Sequence, residues 1–174
     1  MQRIVVAVDP SGVSGAEGSG DEIGIIVAGK GVDGNAYVLA DRSCKLSPEG
    51  WGRRAVEAYH EFSADRIVAE RNFGGAMVEA VIRTADPLAA VTLVTASRGK
   101  AVRAEPVAAL YEQGRVFHSA AFIELEDQMM AMTSTGYLGE GSPDRLDALV
   151  WALTDLMLGE GDGYDPNMWA KLLG

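Results

Sequence analysis

One cysteine and two histidines are all that 174 residues contain. Cys44, being alone, excludes a disulfide framework and a cysteine-based zinc site. His60 and His118 are too few and too far apart for zinc-ligand spacing. No apolar run approaches the roughly 20 residues of a membrane helix. The first residues are a short strand-like segment with Arg3 as its only charge, which is no signal peptide. Positive charge is also scarce, with 15 Lys and Arg against 25 Asp and Glu and a net charge of −10. That balance excludes a wholly basic nucleic-acid binder. It leaves room for an enzyme that gathers carboxylates at one site and basic residues around it, and a cytoplasmic setting fits.

What is present is an apolar fraction of 48%, normal for a globular chain and enough for a core in one domain. Ile4–Val8 is β-branched and apolar and predicts a central strand. Ser11–Gly20 reads as a loop. Ile23–Ala28 and Ala36–Asp41 predict two further strands, and Asp33-Gly34 between them is a hairpin signal. The chain is thus expected to open with a three-stranded antiparallel meander. Ser47-Pro48-Glu49 starts a helix with a capping residue, a proline at the first position and an acid in the first turn. Arg66–Glu70 predicts a strand, Phe73–Ala85 a helix and Val91–Thr95 a strand. A helix is expected over residues 98–113, broken near Pro106, then a short strand at Arg115–His118 and a helix over Ile123–Met132. Thr133–Ser142 reads as a loop, the best candidate for a mobile segment, and Asp144–Leu158 as a final amphipathic helix. The domain is placed at residues 1–158, with 159–174 a loosely held tail. This order predicts an α/β fold with a mixed sheet, the order of the RNase H-like fold.

Three carboxylates interrupt otherwise apolar elements. Asp9 ends the first strand, Glu70 ends "RIVAE", and Asp144 and Asp147 open the last helix in "SPDRLDALVWAL". If the strands of Asp9 and Glu70 are neighbours, both acids emerge at one sheet edge. On the last helix Asp147 lies about 100° from Leu146, at the border of the apolar stripe, while Asp144 lies about 160° round. Asp147 is therefore the preferred third acid. Asp144 reaches the edge only through its place in the first turn, or serves the helix N-terminus. Carboxylates gathered this way repel unless one is protonated or a cation sits among them. An all-oxygen site with open positions favours Mg²⁺ or Mn²⁺. Taken singly, each acid is equally a turn former, a solvated strand end or a helix cap.

The strings "VDPSG…GDEIGIIVAG", "VAERNFGG", "SRGKAVRAEPVAALYEQGRVFH" and "SPDRLDALVWAL" resemble the C-terminal nuclease domain of the terminase large subunit of tailed phages and related prophages. The resemblance runs from about Ile4 to about Leu158. It implies an RNase H-like, RuvC-like fold and a two-metal endonuclease that cuts concatemeric double-stranded DNA during genome packaging. It makes Asp9, Glu70 and Asp147 the catalytic, metal-holding triad, with Asp144 an auxiliary metal ligand and Asp21 structural or peripheral. Its implied partners are duplex DNA, an ATPase motor, a small terminase subunit and a portal, with no membrane, in the host cytoplasm. One departure is that the ATPase motif G-x-x-x-x-G-K-[ST] does not occur. An excised domain, a split gene product and a stand-alone nuclease all fit that absence.

Arg98, Lys100, Arg103 and Arg115 form the densest basic region. It reads either as a phosphate-contacting rim or as a solvated face with Glu105 and Glu112 as partners. Arg71 contacts a phosphate or pairs with an acid, and Gly74-Gly75 permits close backbone approach or simply turns. Trp51, Trp151, Met129, Met130 and Met132 read as packing. Three other functions compete: a branched-DNA resolvase of the same fold, a non-catalytic module docking on DNA or a portal ring, and an actin-like phosphotransferase. The last needs two such subdomains, and this length holds one.

Overall fold

A computed structural model describes residues 1–10, 22–71 and 75–159. The predicted loop over residues 11–20, Asp21, Gly74 and the tail from residue 160 lie outside the described residues.

Seven residues, Arg3–Asp9, form β1. Its antiparallel partner is β2, Gly24–Lys30, which turns through Gly34 at φ +80° into β3, Ala36–Asp41. The left-handed conformation there is open to glycine without steric cost, so the Asp33-Gly34 signal and the meander are both realised. Helix α1, Pro48–Glu61, starts as its sequence predicts, with the Ser47 hydroxyl accepting from the Gly50 amide at 3.4 Å. Strand β4, Arg66–Glu70, follows, then α2, Gly75–Ala85, and β5, Val91–Val94.

Helix α3, Lys100–Glu112, runs through Pro106 without the expected break. Proline removes one hydrogen bond, to the Val102 carbonyl. Val102 is on the solvent side, where water can take that place. Next come β6, Val116–His118, and α4, Ile123–Met130, which is shorter than expected. The stretch read as a loop instead folds partly into a small hairpin, β7 at Met132–Thr133 and β8 at Gly136–Tyr137. Two-residue strands lie below the length at which alternation is visible. The last helix, α5, covers Asp144–Leu153 and ends in a π-helical turn, Thr154–Leu158.

The described residues form a six-stranded mixed sheet in the order β5-β4-β1-β2-β3-β6. Strands β1 and β4 pair in parallel, as do β4 with β5 and β3 with β6. Every strand of this sheet except β2 therefore points its C-terminal end to one edge. The period of two sorts the side chains. Val6, Val8, Ile25, Val27, Ile67 and Ala69 face α1 and α2, while Val5, Ala7, Ile26, Ala28 and Val68 face α3, α4 and α5. The result is a three-layer α/β/α arrangement. No helix among the described residues is long and apolar enough to cross a membrane.

Met129 and Met132 pack against the α5-side core, but Met130 is 86% exposed, which corrects its reading as packing. A short helix has one inward face, and consecutive methionines cannot all share it.

Candidate active site

Asp9 is the last residue of β1, and the same alternation that points Val5 and Ala7 to the α5 side points Asp9 there too. Glu70 ends β4 and shares the face of Val68. The parallel register sets Val8 beside Ala69, so one step further Asp9 and Glu70 stand level on adjacent strands. Above them runs α5. Among the described residues the buried charged side chains are Asp9, Glu70, Asp144 and Asp147, each 1–3% exposed. All four belong to one end of the sheet and to the helix across it.

Two contacts place α5. Gly24 is paired with Asp9 in β2, and a Cβ on Gly24 would stand 1.9 Å from the Asp144 carbonyl oxygen. Glycine is what lets the helix start come down onto the sheet here. From the side, Gln128 of α4 accepts the Leu146 amide at 3.0 Å through Oε1, satisfying a first-turn donor that no residue of α5 caps. Arg145 ties the same turn to Asp41 at the end of β3, 2.9 Å away, and to Glu22. The expectation that Asp144 lies on the far side of an amphipathic helix fails for burial. The residues Leu146 to Leu153 are all buried, because the sheet, α3 and α4 enclose the helix, and a one-sided stripe presumes one neighbour.

Asp147 Oδ2 receives the Lys100 ammonium, which also reaches Ser142 Oγ at 3.1 Å. Arg103 Nη1 is 3.6 Å from Glu70 Oε2, and its guanidinium lies 4.6 Å from the centre of the Trp151 ring. The Trp151 indole N–H donates to Glu70 Oε2 at 3.1 Å. Trp151 is core, as expected, yet it also orients an acid. Burial pushes the Asp147 carboxyl above its ordinary range. Lys100 and Arg103 pull it back, and nearby Glu70 pushes it further up. Glu70 and Asp147 thus feel one another.

The basic residues separate. Lys100 and Arg103, at the start of α3, turn to the acids rather than to Glu105 or Glu112. Arg98 and Arg71 are exposed near the C-terminal ends of β5 and β4. Arg98 also lines a cleft of about 250 Å³ with Thr95, Arg103, Pro106 and Trp151. Arg115 stands apart. It precedes β6 at the opposite edge of the sheet, and its guanidinium donates to the Gly34 carbonyl at 3.2 Å, so the basic region quoted from the sequence is not one surface. Gln128, Ser142 and Arg145 were not singled out from the sequence. The only local signal was their closeness to the "SPDRLD" acids, and Gln128 has not even that.

A buried all-carboxylate donor set suits a hard divalent cation in kind. The donors are not gathered into a ready cage, however. Among the described residues no three His, Cys, Asp or Glu side chains are grouped closely enough to hold an ion. The chain's own cations, Lys100 and Arg103, stand against Asp147 and Glu70 instead.

The family described as Terminase RNaseH-like domain matches residues 6–156. No curated protein matches the chain. Among solved structures, the large terminase nuclease of thermophilic phage G20c superposes with a TM-score of 0.65 at 14% identity, covering 88% of this chain and 82% of that one. Thermus thermophilus RuvC gives a TM-score of 0.47 at 22% identity, covering 87% of this chain and 92% of that one. The yeast mitochondrial Holliday junction resolvase gives 0.49 at 12%, covering 87% and 76%.

Proposed function

From the premise that this chain belongs to the Terminase RNaseH-like domain family and has an RNase H-like fold, we propose that it is a divalent-metal-dependent endonuclease acting on double-stranded DNA in phage genome packaging. The observation that carries this reading is the burial of Asp9, Glu70, Asp144 and Asp147 at one end of the sheet, with two basic side chains turned toward them. Buried carboxylates cost several kcal/mol each unless they are paired or hold a cation, and a fold does not collect four of them for stability. Asp9, Glu70 and Asp147 are the proposed triad, and Asp144 is auxiliary. Mg²⁺ or Mn²⁺, held by these acids as a pair, would polarise the scissile phosphate and activate a water.

The chain's own residues have separable roles in this reading. Glu70 is oriented by the Trp151 indole, so its carboxylate is set before any ligand arrives. Arg103 is pinned over the same ring and offers fixed positive charge beside the acids. Lys100, Arg98 and Arg71 bind the DNA backbone, with little sequence specificity because phosphates carry none. The proposed partners beyond DNA are the ATPase motor, small terminase subunit and portal of a packaging machine in the host cytoplasm. The proposed catalytic unit is residues 1–158, with 159–174 a tail.

The test is incubation with supercoiled plasmid in Mg²⁺, Mn²⁺ or EDTA. Nicked and linear products are expected with either metal and none with EDTA. Asp147→Asn should lose more than about 100-fold, the scale of removing a charge stabiliser from a transition state, and Asp144→Asn far less. No cleavage under any metal, or undiminished cleavage by Asp147→Asn, would overturn the reading.

A further inference from the structure

This inference rests on the nuclease reading and concerns what has to leave Asp147 before a metal ion can be held there. Lys100 Nζ lies against Asp147 Oδ2 and 3.1 Å from Ser142 Oγ. An ammonium and a divalent cation repel one another, so each weakens the other's hold on that carboxylate. The two basic residues at the acids are held very differently. Arg103 is 13% exposed at its side chain, with its guanidinium over the Trp151 ring, so it is anchored. Lys100 is 41% exposed and opens α3, after a Gly99 cap that makes no side-chain hydrogen bond. Its head is a compact, strongly hydrated charge on a four-carbon stem, and it can reach water or a phosphate without moving the helix.

We propose that Lys100 couples DNA binding to metal binding. In the DNA-free protein its ammonium holds Asp147 and competes with the divalent cation. A phosphate of duplex DNA draws it off and frees the carboxylate. DNA and cation therefore bind cooperatively, and by linkage each raises the affinity of the other by the same factor. Arg103 stays in place and keeps Glu70 from being left as an uncompensated buried charge. The consequence for the chemistry is that the acids hold an ion more tightly where a strand is already seated.

The experiment measures binding, not cleavage. Mn²⁺ is titrated into the DNA-free full chain by calorimetry, for the parent protein and for Lys100→Met, Ser142→Ala and Arg98→Gln. Lys100→Met should bind Mn²⁺ more tightly by a factor of about 5–150, the usual range of coupling between sites. Ser142→Ala, which loosens the ammonium and keeps every charge, should shift the same way by less. Arg98→Gln removes one positive charge without touching Asp147 and should change little. In a second arm, affinity for a 20-base-pair duplex is read by fluorescence anisotropy with and without Ca²⁺. The parent protein should gain affinity with Ca²⁺, and Lys100→Met should gain almost none. Equal Mn²⁺ affinity in parent, Lys100→Met and Ser142→Ala would overturn the coupling while leaving the nuclease reading intact. An equal gain in Arg98→Gln would also overturn it, by showing a general charge effect. Absence of Mn²⁺ binding in parent and variants alike would remove the metal site and both readings with it. Should Lys100→Met fail to give the far-ultraviolet spectrum of the parent, Ser142→Ala alone decides.

Discussion

Asp147 is the residue at which opposing effects can be ranked. Burial and the neighbouring Glu70 charge outweigh Lys100 and Arg103, because the carboxyl sits above its ordinary value of 3.8. A raised carboxyl holds a proton in the folded chain over a pH range in which the unfolded chain has lost it. Its contribution to stability is therefore present at low pH and is lost as pH rises from about 4 through the higher native value. Asp147→Asn should accordingly raise the metal-free melting temperature at pH 7 and flatten its fall between pH 4 and 7, as read by calorimetry at several pH values. The 41%-exposed Lys100 loses little in that variant, since its head can turn to water. A lower melting temperature at pH 7 would mean that the ion pair holds the fold together. The spacing of "SPDRLD" pointed to Asp147 over Asp144, yet nothing local in the sequence pairs Lys100 with a residue 47 positions away.

At the scale of elements, the site depends on how low α5 sits on the sheet. Gly24→Ala would put a methyl group into the backbone of the first turn of α5. The helix start must then rise. A loss of about 1–3 kcal/mol is expected, the range for overpacking, together with a fall in cleavage, measured by urea denaturation and plasmid nicking. Parent-like stability would show that the strand, not the helix, gives way. Gln128→Ala tests the other support. Losing a side-chain acceptor at a helix N-terminus costs about 0.5–2 kcal/mol, again read by urea denaturation, and an unchanged midpoint would show that water replaces the amide. The strands and α1 were legible from alternation, the Asp33-Gly34 turn and the Ser47-Pro48 cap, all of which act within a few residues. The β7–β8 hairpin and the continuous α3 were not. The first is too short for a period, and the second tolerates Pro106 because Val102, whose carbonyl loses its partner, lies on the exposed side of the helix.

For the whole molecule, a net charge of −10 means that DNA is attracted only where positive charge is local. Arg98 is exposed at the acid end of the sheet, and Arg115 is at the other. Arg98→Ala should lower the salt dependence of duplex binding, plotted as log affinity against log salt, by roughly one unit of slope. Arg115→Ala should leave it unchanged, and the reverse pattern would move the DNA path to the opposite edge. By itself the sequence determined which residues form the strands of the six-stranded sheet, which faces of those strands are apolar, and hence that Asp9 and Glu70 each break an inward-facing pattern at a strand end. These are consequences of the two-residue period and of short-range turn and cap chemistry. Only the tertiary structure decided that β1 and β4, separated by more than fifty residues, lie side by side in parallel register. It alone decided that α5 is enclosed on every side, so that Asp144 is as buried as Asp147, and that Lys100 and Arg103 serve Asp147 and Glu70. Those outcomes depend on long-range packing, in which a partner is chosen by the closure of the whole core and not by any neighbour along the chain.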